Sequence, residues 1–362
     1  MSDLITLAGD LVRLDSRSTL SNIAVAERIA AELEGFEVER LDYRDPAGVA
    51  KCVLVAVRGG PGGLAFSGHM DTVPATGWTT DPWSGLVADG VLHGLGSADM
   101  KGPLAACIIA ARDLPQSIPV GLLITTDEET TKQGARLIAE RSELARAMRP
   151  RGIVVAEPTM MVPVRGHRAN ITFTATAAGV QAHSATGLGR NANWDLVAFL
   201  VRMKSLNDRL RSDPSLQDTA YHPSFSDFNM VIDNHGTAVN VTVPVATVRI
   251  KYRTSASVDP SEVVAEVRAA AADSGLALDV TQEGRPPELP ADHPLIAAAV
   301  RVSAKAARTV PFGTDATLLQ TLAPCVVMGP GDIGVAHRDG EHIAVAALED
   351  AVTMFRAFAL QT

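Results

Sequence analysis

Residues 120–130 read VGLLITTDEET, an almost entirely apolar run that ends in Asp127, Glu128 and Glu129 side by side. An apolar run of this length predicts a buried strand. In open α/β sheets, functional groups collect where strands end at the carboxyl edge. Three carboxylates crowded at such an edge repel each other unless a cation neutralises them. The segment therefore predicts a core strand that leads into a functional site.

Buried strands and helices alternate on both sides of this segment. This rhythm predicts an α/β domain whose mixed, mostly parallel sheet is covered by helices on both faces. The expected strands are 51–57, 63–68, 120–126, 152–158 and 324–330. The expected helices are 3–15, 23–34, 102–114, 131–144 and 293–306.

The pattern changes after Arg165. Two segments alternate polar and apolar residues, as half-exposed antiparallel strands do, and helical stretches and a short strand follow them. These segments are the strands 169–179, 238–255 and 277–282 and the helices 193–206 and 260–274. We therefore expect an α+β domain at 166–284, inserted into a discontinuous domain made of 1–165 and 285–362.

Composition limits the class of protein. Of the 362 residues, 46% are hydrophobic and 20% charged, which is typical of a globular chain. A net charge of −9 without a basic run argues against nucleic-acid binding. No apolar run is long enough to span a membrane, and the N-terminus carries acids where a signal peptide has basic residues. Three widely spaced cysteines suit reduced thiols, so we expect a cytoplasmic protein.

Imidazole and carboxylate groups follow several of the expected strands. This set lacks thiolates and suits Zn²⁺, Co²⁺ or Mn²⁺. Two such ions would remove the repulsion among the acids and activate a water between them. The candidates are His69, Asp71, Asp99, Asp127, Glu128, Glu129, Glu157 and His337.

The sequences and the order of these motifs resemble those of the dinuclear-zinc amidohydrolases of the M20 peptidase family, of the acetylornithine deacetylase and succinyl-diaminopimelate desuccinylase type. The resemblance covers nearly the whole chain. It is carried by SGHMDTVP, WTTDPWSGLVADGVLHGLGSADMKG, TTDEE, AEPT, RGHRANITFTATAAGVQAHSA, TAVNVTVP and GPGDIGVAHRDGE.

The resemblance implies a role for each metal-site candidate. His69 and Glu157 would bind one metal, Glu129 and His337 the other, and Asp99 would bridge the two. Asp71 would orient His69, and Glu128 would be the general base. In that family the histidine ligand precedes an acid by four residues. His337 precedes Glu341 by this spacing, so the ligand is expected to be His337 rather than His342. A cis peptide bond between Asp99 and Met100 is also implied.

The resemblance further implies that the inserted domain acts as a lid and forms a homodimer. His183 would reach the partner's active site and stabilise the oxyanion. Arg253 and Asn240 would anchor the polar end of the substrate, and Gly313 and Thr314 would line the same pocket. The expected substrate is a small N-acyl amino acid or a dipeptide. One departure is Leu95, where relatives have arginine.

Two other readings compete with this one. GPGDIG fits GxGxxG through Gly329, Gly331 and Gly334, but a dinucleotide-binding unit needs a helix next, and VAHRDGEHIA opens none. A non-catalytic metal-containing binding protein is the other alternative. Structural zinc sites are closed and usually rich in cysteine, and a base next to a ligand would be superfluous there. Within the family, desuccinylase, dipeptidase and carboxypeptidase activities are alternatives to the deacetylase activity.

Overall fold

The computed structural model describes residues 3–361. Its helices, in chain order, are α1 (Asp3–Arg13), α2 (Ile23–Ala30), α3 (Lys101–Arg112), α4 (Gln133–Arg141), α5 (Glu143–Met148), α6 (Asn193–Ser212), α7 (Ser261–Asp273), α8 (Pro294–Ser303), α9 (Ala316–Leu319) and α10 (Val345–Gln361). Its strands are β1 (Glu37–Arg44), β2 (Ala50–Arg58), β3 (Leu64–His69), β4 (Leu86–Ala88), β5 (Val91–His93), β6 (Val120–Thr125), β7 (Gly152–Pro158), β8 (Val164–His167), β9 (Ala169–Ala178), β10 (Phe228–Asp233), β11 (Val245–Thr254), β12 (Ala277–Gln282), β13 (Arg308–Val310), β14 (Cys325–Gly329) and β15 (His342–Ala344).

The described chain divides into two compact units. Unit 1 holds the residues up to Gly166, Pro287–Thr309 and the residues from Thr314 on. Unit 2 holds His167–Pro286 and Val310–Gly313. The insertion expected at 166–284 did not include 310–313. That segment groups with unit 2, where Arg253 Nη1 donates a hydrogen bond to the Pro311 carbonyl at 3.4 Å.

Unit 1 is built on an eight-stranded sheet in the order β1-β2-β6-β3-β7-β14-β8-β13. Its four central strands, β6, β3, β7 and β14, are parallel, and antiparallel pairs flank them. Cys52, Leu54 and Ala56 of β2 face the core that α1, α3, α8 and α10 share. The alternate residue Val53 faces Gly134 of α4. The predicted mixed, mostly parallel sheet with helices on both faces is confirmed.

Unit 2 is an antiparallel sheet in the order β10-β11-β9-β12, with its own hydrophobic core. Strand β12 covers the predicted 277–282. The strand expected at 238–255 is shorter, because residues 238–241 form a turn in which Val241 N donates to the Ala238 carbonyl. Strand β10 was not expected from the sequence. Among residues 3–361, no helix is long and apolar enough to cross a membrane.

One predicted helix of unit 1 is divided. The sequence favours a single helix over 131–144, but α4 begins at Gln133 and ends at Arg141. Lys132 has a left-handed backbone with φ of 54°, which no helix continues through. At the other end, Ser142 is extended, and its Oγ accepts a hydrogen bond from Ala145 N, which starts α5.

Candidate metal centre and catalytic residues

The candidate site lies at the carboxyl edge of the parallel strands of unit 1. His69 ends β3, Glu157 lies near the end of the neighbouring β7, and the 127–129 turn follows β6 on the other side of β3. Parallel strands that are adjacent in a sheet deliver their carboxyl ends to one edge. The order β6-β3-β7 therefore brings together side chains that are far apart in sequence.

Asp99 lies between the two candidate histidines. Its Oδ1 is 3.2 Å from His69 Nε2, and its Oδ2 is 3.1 Å from His337 Nε2. His337 Nε2 is also 2.8 Å from Glu129 Oε1. The peptide bond between Asp99 and Met100 is cis. One carboxylate thus offers an oxygen to each imidazole, as a ligand shared by two ions would.

His69 is oriented by a backbone group. Its Nδ1 lies 2.9 Å from the Asp71 carbonyl oxygen, which can only accept, so Nδ1 carries a proton. In the neutral ring, Nε2 then has its lone pair free for a metal. The Asp71 carboxylate, expected to orient this ring, is 3.5 Å from Nδ1. Its oxygens accept hydrogen bonds from Glu128 N at 3.2 Å and Glu129 N at 3.3 Å.

Asp127 points away from the cluster. Its Oδ1 accepts from Lys51 Nζ at 2.9 Å, and its Oδ2 accepts from the Tyr43 hydroxyl at 2.5 Å. Its backbone is left-handed, with φ of 60°. This geometry separates it from Glu128 and Glu129, which the Asp71 carboxylate holds by their N–H groups.

The candidate ligand atoms form two overlapping groups, each with atoms within 4.8 Å of one another. The groups are His69, Glu128 and Glu157, and His69, Asp99 and Glu129. Nitrogen and carboxylate oxygen donors at this spacing suit divalent ions such as Zn²⁺, Co²⁺ or Mn²⁺.

The electrostatics of the cluster also suit cations. Burial raises the pKa of Glu129 to about 7, and the charges of Asp99 and Glu128 act in the same direction. Burial and Asp99 raise the pKa of Glu157 well above its ordinary value. Burial opposes ionisation of Asp99 too, but hydrogen bonds from His337 and His69 hold its pKa below the usual range. The raised pKa values of Glu129 and Glu157 show that their ionised forms lack enough neighbouring positive charge, which bound cations would supply.

His337 rather than His342 joins the cluster. His337 is 47% exposed and is held between Asp99 and Glu129, and these hydrogen bonds raise its pKa to about 11. His342 lies in β15, where its Nδ1 donates to the Gly340 carbonyl. The loop that carries His337 contains a short 3₁₀ turn, Ile333–Val335, and no helix of the kind that a dinucleotide-binding motif requires.

Glu341 was named in the sequence only as a neighbour of His337, but it supports the loop that carries Asp99. Its Oε1 accepts hydrogen bonds from the backbone N–H groups of Gly96, Ala98 and Asp99 at 2.9–3.0 Å. Leu95, where the resemblance leads us to expect an arginine, is buried in the same loop. The Glu341 carboxylate thus fixes this loop without an arginine.

The remaining candidates lie in unit 2 or at its edge. His183 is exposed, and its Nδ1 accepts the N–H of Ala185, which leaves Nε2 to carry the proton. Asn240 is near it, since Ser184 N donates to the Asn240 carbonyl. Gly313 packs against the Arg168 carbonyl within unit 2, close to the segment that Arg253 contacts. Thr314, in unit 1, is buried and accepts the N–H of Ala316.

The unit 2 candidates fall into two separate groups. His183 and Asn240 lie near the Val245 end of β11, and Arg253 lies near its other end, paired with Asn170 of β9. Eight residues of extended chain span roughly 26 Å, at about 3.3 Å per residue. Within one chain, Arg253 and Asn240 therefore lie far apart, and their expected role in binding the polar end of the substrate stays a prediction.

Comparison with known proteins defines the class. The profile of "Peptidase family M20/M25/M40" matches residues 65–361. The chain is 33% identical over 352 residues to acetylornithine deacetylase of Proteus mirabilis (strain HI4320), which covers 92% of this chain and 89% of that protein. It is also 33% identical over 356 residues to acetylornithine deacetylase of Myxococcus xanthus, with 94% and 92% covered.

A solved structure shares the fold. The M20 family metallo-carboxypeptidase of Sulfolobus solfataricus superimposes with a TM-score of 0.76 over 99% of both chains, at 14% identity. The chain belongs to the M20/M25/M40 peptidase family. This membership confirms the predicted enzyme class, a metal-dependent amidohydrolase or peptidase that acts on linear amides.

Proposed function

We propose that this protein hydrolyses the amide bond of a small N-acyl amino acid, with N-acetylornithine as the first candidate. The proposal is carried by the Glu128 carboxylate, which lies within 4.8 Å of the His69 and Glu157 ligand atoms. A carboxylate beside a saturated structural site would have no task. The acetylornithine deacetylase relatives support the choice of substrate.

The proposed ligand set assigns His69 and Glu157 to one metal ion, and Glu129 and His337 to the other. Asp99 would be shared, as its two oxygens on the two imidazoles suggest. Zn²⁺ is the first choice, and Co²⁺ or Mn²⁺ suits the same donors. When bound, two such ions would lower the pKa of water and polarise the acyl carbonyl.

Glu128 is the proposed general base. Its carboxylate is buried beside the candidate ligands, and its Oε1 lies 2.9 Å from Lys132 Nζ. Glu128 would take a proton as the water oxygen bonds to the acyl carbon. It would then pass that proton to the amine nitrogen as the C–N bond breaks, which yields a carboxylic acid and a free amine.

A homodimer through unit 2 is part of the proposal. One face of α6 exposes Trp194, Val197 and Val201, which are 76%, 48% and 61% exposed and spaced by three and four residues. The edge strand β10 exposes Met230, Val231 and Ile232. Exposed apolar side chains on an edge strand favour pairing with a second chain.

The dimer would also explain why the unit 2 candidates lie in two groups. Arg253 and Asn240 are too far apart within one chain to hold one substrate carboxylate. If the two groups serve different sites, His183 and Asn240 of one subunit complete the site of its partner. His183 would donate from Nε2 to the oxyanion, a contact that can lower a barrier by about 3 kcal/mol.

Other members of the same enzyme class keep their place as alternatives. Succinyl-diaminopimelate desuccinylase, dipeptidase and carboxypeptidase activities would use the same metal centre, and pocket shape would select among them. A non-catalytic metal-containing binding protein is the alternative from another class. We place the enzyme in the cytoplasm, which three buried, unpaired cysteines support.

The test is an assay of metal-reconstituted protein against N-acetyl amino acids, N-succinyl amino acids and dipeptides. Hydrolysis of N-acetylornithine above the other substrates supports the proposal, and preference for another substrate selects that alternative. Glu128→Gln should lower kcat by about 10²- to 10⁴-fold, because it removes the base. Its metal content should equal that of the wild type, and the exposed control Glu140→Gln should keep full activity.

A wild-type protein that binds two metal ions and hydrolyses none of these amides would favour the binding-protein reading. An active Glu128→Gln enzyme would instead overturn the assignment of the base alone.

A further inference from the structure

Lys132 places a buried ammonium group beside the proposed general base. Its Nζ is 2.9 Å from Glu128 Oε1, and both side chains are only 9% exposed. The same Nζ donates a hydrogen bond to the Glu128 carbonyl oxygen at 3.3 Å. One cation thus contacts both the carboxylate and the backbone of Glu128, so it restricts the side chain relative to its own main chain.

The backbone aims Lys132 at Glu128. Lys132 is left-handed, a conformation that most residues other than glycine avoid, and its N–H donates to the Asp127 carbonyl at 2.7 Å. Asp127 is in turn fixed by Lys51 and Tyr43. The turn from Asp127 to Lys132 therefore forms a rigid support on which the lysine is held.

A second buried acid lies near the same ammonium group. Asp315 accepts a hydrogen bond from Thr125 Oγ1 at 2.5 Å, and its Oδ1 has no donor among the described residues. Burial and the charge of Glu128 raise the pKa of Asp315 to about 7, while the charge of Lys132 opposes that rise. The positive charge of Lys132 therefore affects two buried acids, Glu128 and Asp315.

The other two buried lysines of the described chain serve different groups. Lys51 pairs with Asp127, and Lys101 Nζ donates to the Leu14 carbonyl. The proposed ligands Asp99 and Glu129 are contacted by a histidine, His337, rather than by a lysine. Lys132 is thus the lysine that contacts the proposed base.

We propose that Lys132 is a positioning residue that holds the Glu128 carboxylate in the orientation needed for proton transfer. The proposal rests on the proposed function, since it takes Glu128 as the base. Lys132 gives up no proton. The proton moves from water to Glu128 and from Glu128 to the leaving amine, while the ammonium group stays charged and keeps the carboxylate in place.

The test compares zinc-loaded Lys132→Met, Lys132→Arg, Glu128→Gln and the double variant Lys132→Met/Glu128→Gln, with N-acetylornithine as the probe. Methionine keeps the length of the side chain and removes the charge. We expect Lys132→Met to lower kcat by about 10- to 100-fold, a part of what a general base contributes. KM should change by less than about 3-fold, because the substrate contacts are kept. Lys132→Arg should recover most of the loss.

The double variant separates positioning from a merely structural role. If Lys132 acts through Glu128, Lys132→Met lowers kcat no further once Glu128 is glutamine. The matched control is Lys305→Met, which removes an exposed lysine of unit 1 that donates to the Met160 carbonyl and should leave kcat unchanged. An equal loss in both backgrounds, or a Lys132→Met kcat within about 2-fold of wild type, overturns the proposal.

A crystal structure of metal-loaded Lys132→Met gives a readout independent of turnover. We expect the Glu128 carboxylate to leave its wild-type position while Glu129 and His337 stay in place. An unmoved Glu128 counts against the inference. If Lys132→Met does not fold, the Lys132→Arg structure and kcat carry the test, and an unchanged Glu128 with a 100-fold lower kcat then contradicts it. Wild-type protein that hydrolyses no amide would overturn the proposed function, but the crystallographic comparison would still decide the positioning role.

Discussion

At the residue scale, the metal-free site stores protons that metal binding must release. The hydrogen bonds from Asp99 and Glu129 raise the pKa of His337 to about 11, and burial raises that of Glu129 to about 7. A histidine must be deprotonated before it can bind a metal. At neutral pH, protons and metal ions therefore compete for the same pair of side chains.

We predict that metal binding at the proposed ligands Glu129 and His337 releases at least one proton at pH 7. Calorimetric titration of metal-free protein with Zn²⁺ in buffers of different ionisation enthalpy measures this number. His337→Ala should release fewer protons, and the apparent affinity of the wild type should rise with pH. An apparent enthalpy that is the same in every buffer would contradict the prediction.

The same pKa shift fixes how the stability of the metal-free protein depends on pH. The pKa of His337 is higher in the folded state than its ordinary value of 6.5. Its contribution to stability is therefore complete below pH 6.5 and is lost as the pH rises through about 11. Metal binding replaces the proton, so this loss should be absent from the metal-loaded protein.

At the element scale, the turn between β6 and α4 keeps two acids at the site and one away from it. Its strand could be predicted because residues 120–124 are all apolar, and such a run is usually buried in a globular chain. The acids at its end predicted a cation because crowded carboxylates repel each other. Which of the three acids points away from the site could not be predicted. Asp127 does so because it binds Lys51 and Tyr43, which are distant in sequence.

Other elements show the same limit. Lys132 interrupts a pattern that predicts one helix, because its backbone is left-handed and its N–H donates to the Asp127 carbonyl. Gly134, the second residue of α4, allows the helix to approach the end of β6 closely, because a Cβ atom there would lie 2.4 Å from the Thr126 carbonyl oxygen. The role of Glu341 was equally invisible, since its partners are backbone N–H groups more than 240 residues away.

We predict that Asp127→Ala lowers the free energy of unfolding of metal-free protein by about 3–5 kcal/mol, because it leaves the Lys51 ammonium buried and unpaired. The Lys51 and Asp127 side chains are 0% and 5% exposed. Urea denaturation followed by circular dichroism measures the change. The control Asp42→Ala breaks the exposed pair with Arg40 and should cost less than about 1 kcal/mol. Equal losses in the two variants would contradict this account of Asp127.

At the scale of the whole molecule, the sequence predicted an α/β domain and an inserted α+β domain. It did not predict how the candidate site residues are distributed within the inserted domain. All metal-site candidates belong to unit 1, and His183, Asn240 and Arg253 belong to unit 2. The expected roles of Arg253 and Asn240 at the polar end of the substrate stay predictions. Their separation follows from the extended chain between them, since Asn240 precedes β11 and Arg253 lies near its far end.

This separation leads to a test in which two inactive proteins restore each other. We predict that His183→Ala and Glu128→Gln are each nearly inactive, and that both keep wild-type metal content. In a mixed dimer, one site combines the Glu128 of one subunit with His183 of the other. Random exchange makes half of the dimers mixed, so an equal mixture should reach about a quarter of wild-type activity.

We predict that the rescue depends on association through the apolar face of α6. Trp194→Asp should shift the protein toward monomer in sedimentation velocity, because it places a charge among Val197 and Val201. Introduced into both inactive variants, it should abolish the rescue. If the mixture stays inactive although mass spectrometry detects mixed dimers, His183 does not act across subunits. Rescue that persists in the Trp194→Asp variants would show that the two chains associate through a different surface.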